Sequence, residues 1–242
     1  MFITDKKSLK EIPFTARIGI TFFLVLAGIS YLMGFFNILL TYSPVDQKPG
    51  LSLKDIEYSF YGKREGTKLE KAIDGGMKEY FADENEYNTT KEWLKAGAGE
   101  AEFNSKIKPI FDASCSSCHS AEAQVGQVVT VDYKDLAPLL QMDTGKSIGR
   151  LVSISHTHLF ATLVVIFLLN MVFFYTAYPD GLKRFVSILS FSAIVLDIGS
   201  WWLAKLAPFF AVFVIIGGLT LAISFLLLTV LPLYEIWLKK AK

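Results

Sequence analysis

Four long apolar stretches constrain the fold of this chain more than any other feature of its sequence. Each is close to the ~20 apolar residues that are needed to cross the hydrocarbon core of a bilayer. Hydrophobic residues make up 52% of the 242 residues, which is too large a share for an ordinary soluble domain. The sequence therefore predicts four transmembrane helices, over residues 18–42, 151–177, 185–204 and 206–234.

A segment of different composition lies between the first two apolar stretches. Residues 43–150 contain 14 basic and 18 acidic residues, which gives a net charge of −4. We expect a water-facing domain there, and its negative charge argues against a nucleic-acid partner. Helix signals dominate the segment and no alternating strand pattern is evident, so the domain is predicted to be mostly helical.

Local signals place several helix boundaries within this domain. Thr67 followed by Glu70 is typical of a capping box at a helix start. Thr89 or Thr90 is expected to cap a further helix. Pro109 falls inside an apolar helical pattern and is expected to kink it.

Basic residues flank the apolar stretches unevenly. They are concentrated in the N-terminal tail, the loop between the second and third stretches and the C-terminal tail, as Lys6, Lys7, Lys10, Arg17, Lys183, Arg184, Lys239, Lys240 and Lys242. The short turn between the third and fourth stretches has Lys205 alone. The positive-inside rule therefore places both termini in the cytoplasm and residues 43–150 outside.

The two cysteines of the chain, Cys115 and Cys118, are followed directly by His119, one of three histidines. C-x-x-C-H is the attachment signature of c-type haem. Residues three apart in a helical turn project on nearly the same face, so both thiols can reach the two vinyl groups of one porphyrin. The adjacent imidazole is then placed to be an axial ligand of the iron. The sequence therefore predicts one covalently bound haem c.

Three other interpretations of the motif explain less of the sequence. A structural zinc site needs four ligands, whereas the external domain has three cysteine and histidine residues in one cluster. A thioredoxin-type redox pair is expected in a strand–turn–helix setting, which the sequence does not indicate. A disulfide between Cys115 and Cys118 would leave His119 without a role.

The run KIKPIFDASCSSCHS, residues 106–120, resembles the haem-attachment helix of membrane-anchored monohaem c-type cytochromes of bacteria. The resemblance is specific at Cys115, Cys118 and His119. It implies haem attachment on the periplasmic side of the bacterial inner (cytoplasmic) membrane, in agreement with the orientation inferred from charge.

The expected fold is an all-α membrane protein with four transmembrane helices and a mostly helical periplasmic haem c domain inserted between helices 1 and 2. In chain order, the predicted segments are a cytoplasmic tail (1–17), transmembrane helix 1 (18–42), the periplasmic haem c domain (43–150), transmembrane helix 2 (151–177), transmembrane helix 3 (185–204), transmembrane helix 4 (206–234) and a second cytoplasmic tail (235–242).

Met142, His156 and His158 are the candidates for the sixth ligand of the haem iron. Met142 is the type of ligand that the resemblance implies, and its alternative role is packing beside Leu139 and Leu140. Ionisable residues are rare in apolar spans without a function, so the two histidines are also candidates. On a regular helix they point about 200° apart, and both could face one metal only if the helix began after His158. We favour a histidine ligand, and the alternative is that both histidines bind water or lipid headgroups.

Asp197 is the one acidic residue in the third apolar stretch. An acid there costs roughly 2.5–3.5 kcal/mol on insertion scales, so we expect it to have a partner. Pairing with a histidine or with Lys205 is the structural interpretation, and service as a proton acceptor for quinol is the functional one. Asn37 and Asn170 are expected to form hydrogen bonds between helices rather than to belong to a site.

A single haem without an evident substrate pocket favours one-electron transfer, and no residue is assigned a catalytic role. We expect a c-type cytochrome that passes electrons from a membrane donor, the quinol pool or a respiratory complex, to a periplasmic redox protein. It would be a subunit of a larger complex. Two alternatives stay open: a quinol-oxidising enzyme subunit with a site near His156, His158 and Asp197, and a haem-based redox or gas sensor.

Overall fold

The computed structural model describes residues 8–43, 45–46, 48–120, 123 and 130–239. These residues form helices and turns, with an isolated β-bridge between Thr67 and Met142 and no β-strand. They divide into two compact units: a membrane unit, made of residues 8–42 and 146–239, and an inserted unit, made of the described residues between 43 and 145. The prediction of an all-helical chain is confirmed for the described residues.

The helices are numbered in chain order. They are α1 (Phe14–Tyr42), α2 (Leu53–Phe60), α3 (Lys68–Asp74), α4 (Glu84–Lys95), α5 (Glu100–Glu102), α6 (Lys108–Ser114), α7 (Tyr133–Leu136), α8 (Ile148–Phe174), α9 (Asp180–Leu206) and α10 (Ala211–Trp237). A π-helical turn, Phe103–Ile107, joins α5 to α6, and short 3-10 turns cover Lys78–Tyr80, Ala137–Leu139 and Pro208–Phe210.

Four helices of the membrane unit are long and apolar enough to cross a membrane: α1, α8, α9, and α10 with the turn before it. The four predicted spans are thereby confirmed, and the chain is a membrane protein with four candidate transmembrane helices. Helix α8 begins at Ile148 because the Ser147 hydroxyl accepts a hydrogen bond from Arg150 N at 3.2 Å. Pro179 directly precedes α9 and Pro208 lies just after its end, at positions where no helical N–H donor is needed, whereas Pro232 lies inside α10.

Polar side chains connect α8 to α9 inside the membrane unit. Asn170 Nδ2 donates a hydrogen bond to Ser190 Oγ at 3.0 Å, and Ser187 Oγ donates to Asn170 Oδ1 at 2.7 Å. Asn170 and Ser190 are both buried. The prediction that Asn170 bonds between helices is confirmed, and its amide uses a donor and an acceptor on the same neighbouring helix. The side chain of Asn37, for which the same was predicted, is exposed.

The backbones of α9 and α10 come close at Gly217. A Cβ atom built on this glycine would lie 2.6 Å from the Cα atom and 2.8 Å from the N atom of Asp197. No side chain can occupy that space without moving a helix backbone, because real Cβ atoms do not approach so closely. A small residue at a helix crossing is the usual way in which membrane helices pack at short range.

Glu235, near the end of α10, is a fully buried carboxylate. Its Oε1 atom accepts hydrogen bonds from Ser8 Oγ at 3.0 Å and from Leu9 N at 3.1 Å. Ala177 N, in the turn between α8 and α9, donates to both carboxylate oxygens at 2.9 Å. Lys239 Nζ lies 3.7 Å from Oε2. One side chain thus holds three separate segments of the membrane unit together.

Two predicted helix starts in the inserted unit have different outcomes. Thr67 caps α3 as expected, with its hydroxyl accepting a hydrogen bond from Glu70 N at 3.0 Å, although the Glu70 carboxylate binds Lys91 Nζ at 2.7 Å instead of closing a capping box. The prediction that Thr89 or Thr90 caps the next helix is wrong. Helix α4 begins earlier, at Glu84, because Asp83 accepts a hydrogen bond from Glu86 N at 2.9 Å.

An apolar core dominated by aromatic rings lies in the inserted unit. Phe103 lies at its centre, with ring centroids 5.5 Å from Trp93, 6.0 Å from Phe111 and 5.5 Å from Tyr133. The other buried members are Leu69, Ile73, Leu94, Ala98, Ile107, Val131 and Leu136. Helices α3, α4, α6 and α7 and the π-helical turn all contribute to this core, so it fixes their positions.

The π-helical turn explains how Pro109 fits into a helical segment. Proline lacks an N–H and its ring crowds the preceding turn of a regular helix. The wider π-helical turn Phe103–Ile107 ends directly before α6, in which Pro109 is the second residue and needs no helical donor. Both Phe103 and Ile107 are completely buried. The expected irregularity at Pro109 is therefore a local widening of the helix one turn earlier.

Candidate functional site

The motif residues lie where α6 ends. Cys115 N donates a hydrogen bond to Phe111 O at 2.9 Å, which completes the last turn of the helix. Cys118 N and His119 N then both donate to Cys115 O, at 3.1 and 2.9 Å. The chain thus continues in a helical turn through the motif, and the two thiols and the imidazole project from that single turn.

The two thiols have different surroundings. Cys115 is half-buried and packs against the aromatic core, whereas Cys118 is exposed. Burial, together with the charges of Glu86 and Cys118, raises the pKa of the Cys115 thiol to about 11. Both cysteines are free thiols. The Cys115 thiol is therefore packed against the core, whereas the Cys118 thiol of the same turn is exposed to solvent.

Glu86 on α4 is hydrogen-bonded to the end of α6, next to this turn. Its Oε2 atom accepts a hydrogen bond from Ser114 Oγ at 3.0 Å and another from Ala82 N at 3.1 Å. Ser114 is the residue directly before Cys115. The contact joins positions 28 apart in sequence, so no local pattern could have predicted it.

The residues of this turn fit the covalent haem that the motif implies. Two free thiols three positions apart and an adjacent imidazole are the donor set of c-type attachment, and an apolar core beside Cys115 suits a large apolar macrocycle. A zinc site fits less well, because a structural zinc ion needs four ligands and the motif supplies three cysteine and histidine side chains. A thioredoxin setting would need strands, and the described residues contain none.

Met142 lies in the inserted unit on a segment with a fixed backbone. Lys68 N donates to Gln141 O at 3.1 Å and Asp143 N donates to Gly66 O at 2.9 Å, on either side of the bridge between Met142 and Thr67. Leu139 and Leu140 pack against the core, but the Met142 side chain is 57% exposed. The Met142 side chain is therefore not packed beside Leu139 and Leu140, and it is accessible to solvent.

His156 and His158 both lie within α8, which begins eight residues before His156, at Ile148. The alternative of an extended segment that presents both rings to one metal is therefore wrong. Both side chains are exposed. His158 Nδ1 is 2.9 Å from Ile154 O, and its ring lies edge-on to Trp201 of α9, with centroids 5.3 Å apart.

Asp197 has a partner that the sequence analysis did not name. Its carboxylate accepts a hydrogen bond from the side chain of Trp201, one turn further along α9. Trp201 in turn contacts the His158 ring. The structure therefore connects Asp197 to His158 through an indole, rather than pairing the two directly. The spacing of four residues between Asp197 and Trp201 is a signal that could have revealed the first of these contacts.

Comparison with known proteins finds one relationship. Residues 134–242 match a family model, Aq_1264_TM, that is described as a transmembrane helical domain. The matched region contains α8, α9 and α10 and leaves Cys115, Cys118 and His119 outside. No curated protein and no solved structure matches the chain. The similarity thus supports the membrane-spanning character of the last three long helices.

Proposed function

We propose that this chain is a membrane-bound c-type cytochrome that carries single electrons. The observation that carries the proposal is the turn after α6, which contains Cys115, Cys118 and His119 and begins with Cys115 packed against an apolar, aromatic core. Both cysteines in this turn are free thiols.

The residues of the turn have defined roles in this proposal. Cys115 and Cys118 would hold the porphyrin through two thioether bonds, each from the addition of one S–H group across one vinyl group. His119 would provide an imidazole nitrogen as a ligand of the iron. Bound haem c supplies one-electron chemistry between Fe(III) and Fe(II). The core beside Cys115 excludes water from one side of the attachment point.

The membrane unit supports electron transfer at the surface of a membrane. Four long apolar helices anchor the chain, and the distribution of basic residues supports an inserted unit on the periplasmic side of a bacterial inner membrane. One electron would come from a quinol or a reduced metal centre of a respiratory complex and pass to an oxidised redox protein. The net charge of −4 over residues 43–150 favours a cationic, salt-sensitive acceptor.

The experiment is haem staining of the denatured chain after expression with a cytochrome maturation system. The wild type is expected to retain a stained band, and the double variant Cys115→Ser/Cys118→Ser to lose it. Ser117→Ala, a change of an exposed residue between the two cysteines, is the matched control and should stain like the wild type. A wild-type band without stain would contradict the proposal.

A second candidate function is quinol oxidation by the chain itself. The observation that favours it is the contact series from Asp197 through Trp201 to His158. A quinol releases two electrons and two protons, so one quinol would reduce two copies of the chain, Asp197 would accept one proton and water would accept the other. Reduction of the purified chain by quinol, lost in Asp197→Asn and kept in Ser192→Ala, would support this function. Reduction that requires another subunit would exclude it.

A further inference from the structure

We propose that the negative charge of Glu86 lowers the reduction potential of the haem attached at Cys115. The inference rests on the proposed function, since it concerns the same attachment site. It assigns a role to a residue that lies outside the C-x-x-C-H motif and on a different helix.

The position of the Glu86 carboxylate is fixed by two segments. Ala82 N, just before α4, and Ser114 Oγ, at the end of α6, donate hydrogen bonds to the same oxygen atom, at 3.1 and 3.0 Å. Ser114 is bonded directly to Cys115. The carboxylate is thereby held next to the residue whose sulfur would form the first thioether.

The surroundings of this carboxylate favour a strong electrostatic effect. Glu86 is half-buried. Phe81 and Cys115 both pack against the aromatic core, and the Phe81 and Phe111 ring centroids are 6.5 Å apart. Apolar groups lower the effective dielectric constant, so a fixed charge acts more strongly here than in bulk water. The raised pKa of the Cys115 thiol, to which the charge of Glu86 contributes, is consistent with this.

Lys108 on α6 is paired with two carboxylates. Its Nζ atom lies 3.3 Å from Asp112 Oδ1 and 2.8 Å from Asp132 Oδ1. These three groups keep an excess of one negative charge, but they are exposed to solvent and screened by salt. The half-buried carboxylate of Glu86, which is hydrogen-bonded to the residue directly before the motif, is therefore the charge from which the larger effect is expected.

The direction of the effect follows from charge. Ferric haem has one more positive charge than ferrous haem, so a neighbouring carboxylate stabilises the ferric state relative to the ferrous state. The reduction potential falls as a result. Charge near the cofactor and solvent exposure are among the properties through which a protein adjusts haem potentials.

The test is a spectroelectrochemical titration of the haem-loaded full chain in detergent. Glu86→Gln is expected to have a more positive midpoint potential than the wild type, because it removes the charge and keeps the size of the side chain. Glu86→Asp keeps the charge and should remain closer to the wild type than Glu86→Gln. Glu92→Gln, an exposed glutamate on the same helix, is the matched control and should leave the potential unchanged.

Two results would overturn this inference without affecting the proposed function. One is an unchanged midpoint potential in Glu86→Gln at wild-type haem content. The other is an equal shift in Glu86→Gln and Glu86→Asp, which would assign the effect to structure rather than to charge. A second readout needs no haem: in the apo chain, Glu86→Gln should speed alkylation of Cys115 and leave Cys118 unchanged. A wild-type chain that binds no haem would instead exclude the proposed function.

Discussion

The backbone of Gly217 on α10 lies against the backbone of Asp197 on α9, at a distance that leaves no room for a side chain. A Cβ atom at position 217 would lie 2.6 Å from the Asp197 Cα atom. The same crossing brings Gly218 close to the carboxylate of Asp197, since a Cβ built there would lie 4.0 Å from Oδ1. The position of Asp197 thus depends on the absence of a side chain at Gly217.

Gly217→Ala is expected to destabilise the membrane unit by about 1–3 kcal/mol, the usual cost of overpacking a tight contact. Thermal unfolding in detergent measures the loss. Gly199→Ala on α9 is the matched control, because nothing lies within 4 Å of a Cβ built there. The control should be neutral or slightly stabilising, as alanine favours helix by up to about 1 kcal/mol over glycine. Equal melting temperatures for the two variants would contradict the close crossing.

The two thiols of the motif should react at different rates in the apo chain. The thiolate is the form that attacks an alkylating reagent, and the pKa of Cys115 is raised to about 11 by burial and by neighbouring negative charge. At pH 8, the Cys115 thiol is therefore almost fully protonated, and its alkylation should accelerate as the pH rises towards 11. Cys118 is exposed and should be modified first. Mass spectrometry of the peptide that contains both cysteines, after timed alkylation, gives the order, and faster modification of Cys115 would contradict the structure.

Glu235→Ala should destabilise the membrane unit, because the donors Ser8 Oγ, Leu9 N and Ala177 N lose their acceptor. Each buried donor that is left unsatisfied costs about 1–3 kcal/mol. Glu235→Gln keeps one acceptor oxygen and should lose less. Melting temperatures in detergent report the order wild type, Gln, Ala.

Glu11→Ala provides the comparison for this series, since Glu11 is an exposed carboxylate next to the same N-terminal segment. Its melting temperature should equal that of the wild type. If Glu235→Ala also has the melting temperature of the wild type, then the carboxylate does not hold these three segments together.

The sixth ligand of the haem iron is a separate prediction. Pyridine-haemochrome quantification and low-temperature EPR on Met142→Ala, His156→Ala and His158→Ala should show a low-spin to high-spin change in one variant and unchanged spectra in the other two. Haem content should stay at the wild-type level in all three, because attachment depends on the cysteines. Unchanged spectra in every variant would mean that none of these side chains binds the iron.

Much of the fold follows from local patterns in the sequence. Apolar length is enough to locate the four long helices, since only helices of about 20 apolar residues satisfy their backbone within a bilayer. Thr67 and Asn170 were also predicted correctly, because a cap and an interhelical amide each depend on few neighbours. The predicted cap at Thr89 or Thr90 was wrong. The Thr90 hydroxyl donates to Glu86 O inside α4, and Asp83 caps the helix instead.

The environment of the candidate site could not be predicted in the same way. The C-x-x-C-H motif is contiguous and is visible in the sequence alone. The contact between Glu86 and Ser114 and the packing of Cys115 on the core depend on how α4 and α6 meet in space. The link from Asp197 to His158 through Trp201 likewise requires two helices to be placed side by side.

The carboxylate of Glu235 has a consequence for how the chain is made. Leu9 and Ala177 leave the ribosome before Glu235 does. Their N–H groups therefore lack the Glu235 carboxylate as an acceptor until the fourth span has entered the bilayer. Insertion of the last helix is then the event that closes this end of the bundle, and a nascent chain halted before α10 would remain open there.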